Sequence, residues 1–133
     1  MKKFFKSFGY AFLGIITALK KERNLKIHFI AMIIVIIFGI VLRITKMEWI
    51  ICIILFASVI SLEMVNTAIE NVVDLVTEEQ NPKAKIAKDT AAGAVLISAV
   101  SAAIIGLVIF IPKFILILMK RHFLVNELKT FNY

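Results

Sequence analysis

Four polar side chains share one stripe of an otherwise apolar segment: Glu63, Asn66, Glu70 and Asp74, within SLEMVNTAIENVVDLV (61–76). At about 100° per residue they fall within roughly 80° of arc on a helix, so they form a single acidic face. A carboxylate inside a bilayer costs several kcal/mol and is rarely kept without a function behind it. Two acids about two turns apart, with a carboxamide between them, suit divalent-cation binding and proton transfer. A polar seam that only glues helices together is the competing reading. Such seams usually rely on one Asn or Ser, whereas this stripe has Glu63, Glu70 and Asp74.

After that stripe, Lys83, Lys85 and Lys88 precede Asp89 in the polar stretch TEEQNPKAKIAKD (77–89). Ammonium groups tethered near paired acids are what a polyphosphate carried with Mg²⁺ requires: the acids hold the cation and the lysines neutralise phosphate oxygens. Contact with anionic headgroups would account for the lysines equally well. Familiar nucleotide signatures are missing. Gly9-x4-Gly14 is followed by Ile15-Ile16 and not Gly-Lys-Ser/Thr, so it is no P-loop. There is no HRD…DFG set either. Cys52 is the sole cysteine, which excludes an internal disulfide and any CxxC metal site and leaves a packing role. His28 and His122 have no metal-spaced partner and read as interfacial side chains.

The elements that must position these groups follow from composition. Of 133 residues, 61% are hydrophobic and the mean hydropathy is +0.95, more apolar surface than a water-soluble core of this size can use. The chain reads as all-α and integral to a membrane. Its net charge of +7 flanks the greasy segments, a pattern for anionic membrane surfaces and not for nucleic acid. Residues 1–22 predict an amphipathic surface helix, with lysines at both ends and Phe4, Phe5, Phe8, Phe12, Ile15, Ile16 and Leu19 between them. A cleaved signal peptide is not expected, because KKERNLK follows that apolar stretch where a small-residue cleavage site would stand. Three spans follow, at about 27–42, 49–74 and 90–112, with a polar turn at 43–48, a break at Pro82 and a tail over 113–133.

The basic residues before the first span (Lys2, Lys3, Lys6, Lys20, Lys21, Arg23, Lys26) and those of the 77–89 loop predict a cytoplasmic N-terminus and an extracellular C-terminus. Lys113, Lys120, Arg121 and Lys129 run against that rule. With Trp49 at the outer interface, Glu63 lies roughly 21 Å and Glu70 roughly 31 Å along the helix, against a hydrocarbon core of about 30 Å. The stripe thus ends where a lipid hydroxyl meets a water-soluble cosubstrate. Ala94, Ser98, Ala102 and Gly106 set a small residue at every fourth position of the third span, which suits close helix packing. Three helices are few to enclose an acidic stripe, so self-association is expected.

The stretches FFKSFGYAFLGI (4–15), KERNLKIH (21–28), LEMVNTAIENVVDLV (62–76) and AKDTAAGAV (87–95) resemble the small bacterial integral-membrane diacylglycerol kinase family. Within it they are most similar to the undecaprenol kinase branch. The resemblance runs from residue 4 to about 112. It implies a homotrimeric bundle, each protomer having a surface helix and three transmembrane helices, with composite sites between protomers. By that resemblance Glu63 is the catalytic base and Asn66 the carboxamide beside it. Glu22 and Glu70 are the Mg²⁺ ligands, Lys88 and Asp89 contact ATP, and Asp74 is the motif's last acid. The tail after Pro112 departs from related chains and receives no role.

The expected activity is ATP-dependent phosphorylation of undecaprenol, with diacylglycerol as the alternative acceptor. A non-catalytic oligomeric ion or proton pathway would also explain intramembrane acids. It leaves unexplained why Glu22 and the Lys88-Asp89 pair stand at the family's spacing.

Overall fold

A computed structural model describes residues 2–77 and 79–130, with side chains over 3–77 and 79–122. Four helices account for nearly all of it: α1 Lys2–Lys21, α2 Arg23–Val41, α3 Lys46–Val76 and α4 Pro82–Thr130. The helices α2, α3 and α4 are each long and apolar enough to cross a membrane. Helix α3 is the hub, packing against each of the other three. The chain leaves large apolar side chains exposed along its spans, Ile30, Ile37, Ile53, Ile104 and Val108 among them. That surface suits hydrocarbon and not water.

The expected boundaries shift at the ends. The turn between α2 and α3 is tighter than the polar stretch 43–48, because two caps meet in it. Gly39 carbonyl accepts from Ile44 N–H at 3.1 Å, and Ile40 carbonyl accepts from Arg43 N–H at 3.2 Å. This closing pattern puts Arg43 in the left-handed region at φ 51°. Thr45 then opens α3 with a reciprocal capping box to Glu48. Gly39 lets the helices close, since a Cβ there would meet the Trp49 indole at 2.7 Å.

Pro82 is the first residue of α4, where its missing N–H costs nothing. Pro112, expected to end the third span, lies inside α4, which continues to Thr130. The apolar run FILILM after it keeps helical propensity, and one lost backbone bond does not break so long a helix. Of the expected tail, the side chains of 123–133, Lys129 included, fall outside the described residues.

Candidate active site

The break between α1 and α2 puts Glu22 at an elbow, where it is the N-cap residue of α2 with an extended backbone. Lys21, last in α1, donates to Asn71 Oδ1 on α3 at 3.2 Å, and Asn71 donates back to Thr67 carbonyl at 2.6 Å. Leu25, fully buried, seats the first turn of α2. The elbow is thereby held against the acidic face of α3.

Glu63 is 3% exposed and Asn66 6%. The Asn24 amide reaches the Glu63 carboxylate, and the His28 imidazole and the Glu70 and Glu22 carboxylates lie within electrostatic range of it. Asn66 donates to Glu70 Oε1 at 2.9 Å, which orders the two along one face of α3. Its own Oδ1 is buried with no hydrogen-bond partner. A buried, unsatisfied acceptor carries a desolvation cost of about 1–3 kcal/mol, a cost a bound donor or cation would relieve. The expectation that a second copy is needed to bury the stripe fails for Glu63 and Asn66. A single chain encloses both, because α2 crosses α3 at that level.

The lysine-bearing end lies apart. Lys88 pairs with Asp74 across the α3–α4 turn. Both line a polar recess of about 770 Å³ with Lys85, Asp89, Thr77 and Asn81. From Glu63 to Asp74 α3 rises about 17 Å, so Lys88 and Asp89 are not in the shell of Glu63. Glu70 lies between the two groups, one helical turn from Asp74.

Among the described residues no three His, Cys, Asp or Glu side chains converge tightly enough to hold a metal alone. Glu22 and Glu70 fit magnesium in its usual nucleotide-dependent form, one or two carboxylates with phosphate oxygens and water completing the shell. The orphaned Asn66 oxygen adds a further hard donor.

Two neighbours of Glu63 escaped the reading of the sequence. Asn24 lies inside KERNLKIH without a role in the motif, and His28 reads from its spacing as an interfacial side chain. They stand four residues apart, on one face of a segment otherwise apolar after Lys26, and that spacing was the available signal.

Residues 9–110 match the family model for prokaryotic diacylglycerol kinase. The chain belongs to that family. It is therefore a membrane lipid kinase, and its cosubstrate is ATP. Over 113 residues the kinase is 47% identical to the undecaprenol kinase of Bacillus subtilis, covering 85% of this chain and 92% of that one. Over 107 residues it is 39% identical to a diacylglycerol kinase of Synechocystis sp., covering 80% of this chain and 61% of the relative.

Proposed function

We infer that the kinase phosphorylates the hydroxyl of undecaprenol, with Glu63 as the general base. What carries the reading is the buried Glu63 carboxylate near the inner end of the span, reached by Asn24 and within electrostatic range of His28 and Glu70. The similarity to the Bacillus protein supports the choice of acceptor. In the reaction, Glu63 takes the hydroxyl proton as the acceptor oxygen attacks the γ-phosphorus of ATP. The bond from that phosphorus to the bridging oxygen breaks, and ADP leaves with the electron pair. Phosphoryl transfer asks mostly for positioning and charge neutralisation, so a small set of groups suffices.

In this reading Glu22 and Glu70 hold Mg²⁺, which when bound neutralises phosphate oxygens. Lys88 and Asp89 receive the nucleotide in the polar recess, Asp74 holding the Lys88 ammonium in position. Asn66 orients Glu70, whose carboxylate would then be in position to hold the cation. Helix α1, whose Phe4, Phe5, Phe8 and Phe12 are all exposed, lies in the headgroup plane. The N-terminus is cytoplasmic, the C-terminus is extracellular, and the working form is a trimer with sites completed between protomers.

A competition assay in mixed micelles, with labelled ATP and both lipids, tests the acceptor. Undecaprenol should be used at the higher kcat/KM and diacylglycerol slowly, since hydrophobic slots discriminate weakly between greasy chains. Equal or better use of diacylglycerol would overturn the acceptor while leaving a lipid kinase.

A further inference from the structure

An apolar groove of about 640 Å³ runs between α2 and α4 over the face of α3. Its inner end is marked by His28 of α2 and by Val59 of α3, one helical turn before Glu63. Its outer end is built by Phe38 of α2, by Leu42, which caps that helix, and by Phe114 and Ile115 of α4. Between Ala99 and Ile115, its first and last lining residues on α4, the helix rises about 24 Å. One leaflet is about 15 Å of hydrocarbon, half of a core of about 30 Å. The groove is therefore longer than a lipid confined to the inner leaflet can fill.

The α4 side of the outer end lies beyond the stretch that the family model matches. The family match stops at residue 110, whereas Phe114 and Ile115 follow Pro112. That stretch is tied down. Lys113 Nζ reaches Glu48 Oε2 at 3.0 Å, both side chains being about one-quarter exposed or less. The same Glu48 oxygen accepts from Thr45 N–H at 2.6 Å. A cap at the start of α3 thus holds the extension of α4 in place as the groove's distal wall.

We propose that the outer half of this groove receives the far end of the acceptor's isoprenoid chain, and that Phe114 and Ile115 make the kinase select long acceptors. The proposal rests on the polyprenol reading above and deepens it. A single long chain with its hydroxyl at Glu63 can pass the midplane and cover the distal wall. A diacylglycerol, with its tails ending near the midplane, gains nothing there. The selection is then by buried apolar length, at roughly 25 cal/mol per Å² of surface covered.

Ile111 supplies the test. It lines the groove about 18 Å up α4 from Ala99, past the roughly 15 Å of one leaflet, and its side chain is exposed, so a larger side chain there can plug the outer half alone. In Ile111→Trp, kcat/KM for undecaprenol should fall about tenfold or more, within the range a filled apolar pocket commands. Farnesol and diacylglycerol should be used as in the wild type, with KM for ATP and oligomeric mass by light scattering unchanged. Phe114→Ala with Ile115→Ala should lower the preference for undecaprenol over farnesol in the same direction. The proposal is overturned if the plug leaves undecaprenol turnover intact, or lowers all acceptors in parallel. It is equally overturned if the plug alters the oligomeric mass, which would make a second copy of the chain the occupant. A wild type that uses no polyprenol at all would instead defeat the polyprenol reading itself.

Discussion

At the scale of single residues the chemistry rests on one buried carboxylate whose surroundings are oxygen-rich. Glu63→Gln keeps the shape and the burial but cannot accept a proton. Turnover should fall about 10³-fold, the middle of the range for a general base, while ATP affinity stays near wild type. Steady-state kinetics with nucleotide-binding titrations check this, and turnover within tenfold of wild type would remove Glu63 from the role. Glu22→Ala and Glu70→Ala each delete one oxygen ligand of a shared cation. Both variants should need more Mg²⁺ for half-maximal activity and be partly rescued by excess. Titration curves that overlay the wild type would put the metal elsewhere. The stripe itself was legible in the sequence, because helical phase alone aligns positions 63, 66, 70 and 74. The company it keeps was not. Asn24 reaches Glu63 from another helix, which also brings His28 within electrostatic range, and the orphaned Asn66 oxygen exists only because Glu70 takes the other end of that amide.

At the scale of elements the α2–α3 turn and the elbow at Glu22 set the site's geometry. The turn combines a left-handed Arg43, a capping box at Thr45 and the Gly39–Trp49 contact. Gly39→Val would drive methyl groups into the indole and should cost about 1–3 kcal/mol. Arg43→Gly should add about 1 kcal/mol by relieving the left-handed penalty on a residue with a Cβ. Thermal unfolding in detergent reads both, and a Gly39→Val protein as stable as wild type would show that the indole moves aside freely. The capping chemistry of TKME was open to inspection in the sequence. The passage of α4 through Pro112 was not, since a proline in an apolar run can end a helix or sit within it. Lys113 meets Glu48 only because α4 continues.

At the scale of the whole molecule the nucleotide end and the base end must cooperate across a distance. The recess with Lys88 and Asp89 lies roughly 17 Å down α3 from Glu63, which suits sites completed by a neighbouring copy. Inactive Glu63→Gln protein mixed with inactive Lys88→Ala protein should then regain part of the wild-type activity, and light scattering should give a trimer's mass. Mixtures that stay dead would place the whole site within one chain. What the sequence by itself determined was everything that depends on local periodicity, charge and length. That covers the spans, the phase of the acidic stripe, the polar turn at 43–48 and the flanking lysines. What only the tertiary structure decided was which helix crosses which, and at what height. A single chain buries Glu63, Lys88 turns to Asp74, and the α4 extension lengthens an apolar groove. Those outcomes rest on contacts between residues far apart in the chain, and a pattern of period 3.6 specifies a helix's buried face without naming its partner.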